Sequence, residues 1–317
     1  MAITTTSLLS APVQQTFSMR LLSVPTPYFI HKIPATVKRL PRNGGRTLRM
    51  RRPIALQPAM VPLGNSGVTP PGQTLQAIDI DATPSLYGTY VMVNEQVTLQ
   101  DQDPVLNWGA ARLGVSLRQT EDQLVRDCLA GTAAFVNCTA GANADNPTQL
   151  TLQDIQAVYT ALVSANAYMI MDHIDGTLKF NSSPVRDAFF AMASSDLIPD
   201  LEAVGGFQPK AQYSFPTDAL KSEWGATNNV RWLISSIGSA IANASANGNT
   251  VYNSFITGMD AYCTVLQDGY SAQFIYLPAQ FSGPLALNIS MGYKFMEVPR
   301  IQQDTWLINL RSTLNLG

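Results

Sequence analysis

The stretch DQDPVLNWGAARLGVSLRQTEDQLVRDCLAG, residues 101–131, decides how this chain is read. Asp101 and Asp103 are helix-capping residue types, Pro104 suits the first helical position, and Gly131 supplies a stop. The pattern predicts one helix from Pro104 to Leu129 or Ala130. About 27 residues at about 1.5 Å each make a rod of roughly 40 Å, well beyond the usual helix of about three turns. Val105, Trp108, Val115, Leu124, Val125 and Cys128 supply an interrupted apolar stripe along it.

On the N-terminal side of this rod lie two extended runs. Leu48, Met50, Ile54 and Leu56 alternate in residues 46–62; Leu75, Ile78 and Ile80, then Leu86, Tyr90, Met92 and Val93 follow. Between them sits the turn-rich tip Val61-Pro62-Leu63-Gly64-Asn65-Ser66-Gly67-Val68-Thr69-Pro70-Pro71-Gly72, so a protruding hairpin is expected. Before the hairpin, prolines at 12, 25, 27, 34 and 41 block long helices, and residues 1–45 read as an extended arm laid along a surface.

On the C-terminal side, Thr151 and Asp154 open a second helix with Ile155, Val158, Tyr159 and Leu162 on one face. A third helix is expected after Ser182-Ser183-Pro184, with Val185, Phe189 and Met192 facing inward. Tyr168 to Met171 read as a buried strand; Val230, Trp232 and Ile234, then Ala272, Phe274 and Tyr276, then Leu285, Leu287 and Ile289, and finally Trp306, Ile308 and Leu310 read as further strands. The class is α+β, with strands contributed from distant parts of the chain.

Charge is distributed unevenly. The first acidic residue is Asp79, and nine Lys/Arg precede it: Arg20, Lys32, Lys38, Arg39, Arg42, Arg46, Arg49, Arg51 and Arg52. The formal net charge of −2 is therefore +9 on an arm and −11 on a body that holds all 22 carboxylates and the other 11 basic groups. Such an arm suits a negative partner: nucleic acid, a membrane surface, or the acidic body of another copy. An acid-free, Ser/Thr-rich segment over residues 1–52 also fits a transit peptide, which keeps an organelle-imported enzyme open as a reading. Charged residues are only 13% of the whole, roughly half the usual share, which favours an obligate oligomer.

Catalytic chemistry finds little material. There are two histidines, His31 and His173, and three cysteines, Cys128, Cys138 and Cys263, in no CxxC spacing. Asp172-His173-Ile174-Asp175 is the best metal-like cluster, but it reads first as a polar strand end turning at Gly176. Asp196, Asp200 and Glu202 flank Pro199 and suit a solvated helix start. No GxGxxG, P-loop, GxSxG or HExxH occurs, so neither an enzyme nor a cofactor or metal site is expected. No apolar run reaches about 18 residues, and no secretory signal is expected at the start.

Four stretches carry a resemblance. They are Leu40-Pro41-Arg42-Asn43-Gly44-Gly45-Arg46-Thr47-Leu48 leading to Arg51-Arg52-Pro53; Ser85-Leu86-Tyr87-Gly88-Thr89-Tyr90; Glu223-Trp224-Gly225 with Asn229-Val230-Arg231-Trp232-Leu233; and Ser254-Phe255-Ile256-Thr257-Gly258-Met259-Asp260-Ala261-Tyr262. In order and spacing, over roughly residues 40–310, the chain resembles the major capsid proteins of tailed double-stranded DNA phages, of the Hong-Kong-97-type fold. The stretch Asp172–Phe190 departs from that pattern.

The resemblance implies an N-terminal arm (1–45), an extended-loop hairpin (46–97), a peripheral domain with the spine helix (98–148 and 283–317) and an axial domain (149–282). It implies hexamers and pentamers of an icosahedral shell assembled in the host cytoplasm. Packaged DNA would be held non-specifically, with a portal and possible scaffold or decoration proteins as further partners and no membrane. An encapsulin-like compartment with the same fold stays open beside it. Intersubunit contacts are expected at Arg42, Arg46, Arg49, Arg51, Arg52, Tyr87, Glu223, Trp224 and Arg231. Some shells of this fold cross-link through a hairpin lysine. Here no lysine lies between Lys38 and Lys179, so a non-covalent shell is expected.

Overall fold

The 26-residue helix Val105–Ala130 forms as the sequence predicts, and its two halves serve two different sheets. A computed structural model of the chain describes residues 26–60, 72–100, 105–132, 134–141, 145–170, 187–213, 219–270, 272–278 and 287–314. The hairpin tip, the Asp101–Pro104 helix start and the Asp172–Asp175 cluster lie outside the described residues. In chain order the elements are β1 (Thr36–Leu40), β2 (Leu48–Pro53), β3 (Ala77–Ala82), β4 (Ser85–Asn94), α1 (Glu95–Gln100), α2 (Val105–Ala130), β5 (Phe135–Asn137), α3 (Leu152–Ser164), β6 (Phe189–Ser194) and α4 (Ile198–Ala203). Then come β7 (Phe207–Pro209), β8 (Glu223–Thr227), β9 (Val230–Ser235), β10 (Ser239–Ile241), β11 (Val251–Thr257), β12 (Tyr262–Gln267), β13 (Gln273–Leu277), β14 (Asn288–Ile301) and β15 (Leu307–Ser312).

A five-stranded sheet is organised on the long β14, which pairs antiparallel with β4 along one edge and with β12 and β13 along the other; β1 adds parallel to β12. Side chains alternate across a strand, so the odd residues Met291, Tyr293 and Phe295 share one face of β14. They pack with Val93 against Leu106, Ala110, Leu113 and Leu117 of α2. The second sheet runs β5-β15-β11-β6-β9-β8-β7, with β10 beside β11. On one face it meets Val125 and Leu129 from the end of α2. On the other it buries Ile155, Val158 and Leu162 of α3. Helix α2 thus ties the two sheets together. Its buried residues are Leu113, Asp122, Val125 and Leu129, so of the stripe expected from sequence only Val125 is fully buried.

Thr151 caps α3 through the expected reciprocal capping box with Asp154. The third helix does not form as expected: Phe189 and Met192 lie in β6, every residue of which is buried. A short apolar run buried on both faces has no period to distinguish strand from helix, and here pairing with β9 and β11 decides it. Tyr168 is exposed and Ile170 makes only an isolated bridge to Ala188, so the described part of 168–171 is not a buried strand. Asp196 follows a Ser194 cap into a 3-10 turn, and Asp200 and Glu202 lie in α4. The sheets also cut across the expected division. β12 and β13, from the axial stretch, join the sheet of β14, while β5 and β15 join the sheet of β11.

Candidate functional site

The surfaces that matter are those where charge or apolar area is left over once the fold has used what it needs. The arm is the first test. The segment 26–35 runs along the molecule with Tyr28 and Ile33 exposed and is pinned at its middle, where Ile30 is fully buried and His31 is 1% exposed. Asp122 of α2, also 1% exposed, accepts from the His31 amide at 2.8 Å and the Lys32 amide at 3.3 Å, and pairs with His31 Nδ1 at 2.7 Å. The Tyr262 hydroxyl donates to the His31 carbonyl, and the Ser235 hydroxyl to that of Tyr28. Lys32 Nζ then sits 3.0 Å from both Glu121 of α2 and Glu297 of β14. Burial pushes the Glu297 carboxyl above its usual range, against the pull of Lys32, and its Oε1 has no hydrogen-bond partner among the described residues.

The hairpin cations are likewise met at home. In the β2–β3 ribbon Arg49 stands opposite Asp81 and Arg51 opposite Asp79. Arg49 reaches Asp81 in a two-pronged contact of 2.7 and 2.9 Å, and Arg51 Nε lies 3.1 Å from Asp79. The hydrogen bond holds the Asp81 carboxyl below its ordinary value and Arg49 above its own. Arg52 points to the opposite side of the ribbon, where its Nη1 donates to the Gln302 carbonyl at 2.7 Å and to the Gln303 side chain. Arg39 lies 3.8 Å from Asp268. Arg42 and Arg46 are exposed in the turn that begins at Pro41, with the Arg42 guanidinium over Gly269. Most of the arm's paired charge is therefore spent inside the same subunit.

Glu223 and Arg231 require a correction as contact residues. They are buried across the β8–β9 hairpin, Arg231 Nε and Nη2 donating to the two Glu223 oxygens at 2.8 and 2.5 Å. Tyr213 and the Leu220 amide also donate to that carboxylate, and Phe190 lies under the guanidinium. Such a pair is internal architecture. Trp224, by contrast, faces outward from the same strand, its indole N–H bonded to Glu202 at 3.0 Å. Tyr87 is half-buried, stacked on Phe295 with ring centroids 5.6 Å apart.

Sequence reasoning missed the apolar surfaces. On β4 and β13 the side chains of Leu86, Tyr90, Met92, Phe274, Ile275, Tyr276 and Leu277 are partly or largely exposed, Tyr90 to 69%. Beyond the β2–β3 ribbon, Ile54, Leu56, Met60 and Leu75 are exposed, the last two above 80%. Their alternation was visible in the sequence; which face the helix would cover was not. Among the described residues no cluster of His, Cys, Asp or Glu could hold a metal, and no helix is long and apolar enough to cross a membrane.

No protein family's sequence profile matches the chain, and no curated protein does. Solved structures do match. The chain is similar over 100% of both lengths to a chain in the capsid of Ralstonia phage GP4, with a TM-score of 0.73 at 12% identity. A chain in the head of Helicobacter pylori bacteriophage KHP40 gives 0.69 at 10% identity, covering 99% of this chain and 98% of that one. The Cyanophage Pam1 capsid gives 0.67 at 12%, covering 99% and 100%. The fold is that of phage capsid chains, the α+β Hong-Kong-97-type architecture.

Proposed function

We propose that this chain is a major capsid protein that self-assembles into the hexamers and pentamers of an icosahedral phage shell around double-stranded DNA. The observation that carries the reading is the likeness to a phage capsid chain along the full length of both chains, at a TM-score of 0.73. Low charge, a long tying helix and large uncovered apolar strands agree with a subunit that finishes its core only in company. The residues then act structurally, without a catalytic group. The β11 sheet serves as the axial domain, the β14 sheet with α2 as the peripheral domain, and the β2–β3 hairpin, the part of residues 46–97 outside the β14 sheet, as the extended loop reaching the next subunit. Arg42, Arg46, Arg49, Arg51 and Trp224 are the sequence-derived contact candidates that stand exposed. Arg49, Arg51, Arg52 and Tyr87 contribute by shaping the hairpin and its root. DNA is held non-specifically, portal and scaffold or decoration proteins are further partners, and the shell is non-covalent, assembled in the host cytoplasm and resident in the virion.

Negative-stain microscopy of the expressed protein tests this directly, because shells or capsomers are visible at once. A protein that stays monomeric under all conditions ends the proposal. Mass spectrometry and nuclease digestion of particle contents separate a DNA shell from a compartment loaded with protein.

A further inference from the structure

Where the arm crosses α2 and reaches β14, the acids outnumber the cation that serves them. Asp122 is spent on the His31 and Lys32 amides and on the His31 ring. Lys32 Nζ stands 3.0 Å from Glu121 Oε2 and 3.0 Å from Glu297 Oε2, so one ammonium answers two carboxylates on two different elements. Their access to water differs. The Glu297 side chain is 1% exposed, whereas Glu121 and Lys32 keep 19% and 27%.

Register leaves Glu297 without other help. Its cross-strand neighbours are Ser85 of β4 and Leu266 of β12, neither of them charged. The same face of β14 continues with Phe295 and Tyr293 under α2. Lys32 from the arm and Glu121 from α2 are the charged groups that act on it, and its Oε1 has no hydrogen-bond partner among the described residues. With both carboxylates ionised, the three side chains carry one negative charge too many for a place with little water. Two carboxylates at one site resist ionising together, and the one in less contact with solvent keeps the proton. Burial and the neighbouring Glu121 both push Glu297 in that direction.

The arm is the part that can move. Helix α2 and β14 hold each other through Leu106, Ala110, Leu113 and Leu117, contacts that do not involve the arm. Residues 28–35 precede β1 and belong to no strand ladder. They are held by polar bonds: the two amides on Asp122, the Ser235 hydroxyl on the Tyr28 carbonyl and the Tyr262 hydroxyl on that of His31. Ile30 is their fully buried apolar anchor, and Tyr28 and Ile33 face solvent. A segment with so little buried apolar surface opens at a lower cost than the sheets beneath it. Lifting it takes Lys32 off Glu297 and admits water to the carboxylate.

We infer that the arm is a proton-gated strap, closed over α2 and β14 while Glu121, Glu297 and Lys32 hold one proton among the two carboxylates, and opening as that proton leaves. The closed strap binds the proton more tightly than the open one, so low pH closes it. Opening should gain up to about tenfold per pH unit from the ordinary glutamate range to the raised Glu297 value, and level off above it. Nothing in this device depends on what the subunit builds.

The test is hydrogen exchange of the full-length dissociated subunit, read on a peptide spanning Tyr28–Ala35 at a series of pH values and expressed as protection, which removes the intrinsic pH dependence of exchange. Protection at the His31 and Lys32 amides should fall with rising pH and depend little on urea below the unfolding transition, the mark of a local opening. Glu297→Gln, which has no proton to lose, should make that protection independent of pH. Glu121→Gln leaves Lys32 to Glu297 alone and should move the fall to lower pH. Protection that ignores pH in the unaltered subunit overturns the gate. So does a fall that survives Glu297→Gln, because the His31–Asp122 pair would then carry it. Strap amides that exchange only with global unfolding, with the urea dependence of β11, overturn it as well.

Discussion

Asp122→Ala is the sharpest test of the claim that the arm is an internal strap. The Asp122 carboxylate accepts from two main-chain amides and pairs with the His31 ring, and both side chains are 1% exposed. Removing it strands three buried polar groups at about 1–3 kcal/mol each, and breaking a buried pair from one side costs about 3–5 kcal/mol in all. Taking about 4 kcal/mol, the melting temperature of a chain this size falls by roughly 6 °C. His31→Leu should cost less, about 2 kcal/mol, since Asp122 then keeps both amides while losing only the ring. The double variant should not recover fully, because the His31 and Lys32 amides remain without an acceptor. The assay is urea unfolding of dissociated subunits followed by circular dichroism; inside a shell, assembly would add its own stability. An Asp122→Ala subunit within 1 kcal/mol of the unaltered one would refute the strap, and so would a His31→Leu subunit that is the less stable of the two singles.

Further outcomes follow from the same contacts. Glu223→Ala leaves Arg231 buried without its carboxylate and should cost about 3–5 kcal/mol by the same unfolding assay, whereas Trp224→Ala should alter assembly more than subunit stability. Glu297 binds its proton more tightly folded than unfolded, so that protonation stabilises the subunit at low pH and its contribution is lost as pH rises through the raised pKa. Glu297→Gln, which stays neutral, should therefore gain on the unaltered protein as pH rises through that value, and the two should converge below the ordinary glutamate range; an advantage that grows as pH falls contradicts the assignment. In Arg49→Ala, the Asp81 carboxyl should titrate at higher pH by nuclear magnetic resonance, and an unchanged titration would mean that the pair does not persist in solution. If apolar burial rather than cross-subunit charge pairing drives assembly, shells should survive added sodium chloride and be promoted by sulfate. Dissociation at about 0.5 M sodium chloride would reverse that order of importance.

How much of this was legible in the sequence depended on whether the deciding interaction was local. Helix α2 announced itself by length and by Gly131, where the chain turns through the Gly131 and Thr132 amides onto Cys128 and Leu129. The Thr151–Asp154 box is a three-residue matter and formed as expected. β6 was misread because FFAMAS carries no period, and its strand character comes from β9 and β11, both far along the chain. The Glu223–Arg231 pair had a readable sign. Asn228, with a φ of 52°, turns β8 back on β9 and puts residues eight apart within reach. Without the turn being recognised, two charges in a motif looked like a surface.

The uneven charge along the chain then takes a different meaning. Of the nine cations ahead of Asp79, Lys32, Arg39, Arg49 and Arg51 meet carboxylates of their own chain, and Arg52 is held by Gln302 and Gln303. An acid-free arm is thus what a subunit needs when its body carries the complementary acids at Glu121, Glu297 and Asp268: attraction guides the arm to one path over α2, and buried bonds at His31 fix it. The hairpin repeats the device on a smaller scale, its ribbon carrying Asp79 and Asp81 to meet the cations of β2. Between the two strands of the ribbon, the sequence from Pro53 to Ile78 carries no charge at all. Charge among the described residues is used largely within the subunit, and the exposed surface of β4 and β13 is largely apolar.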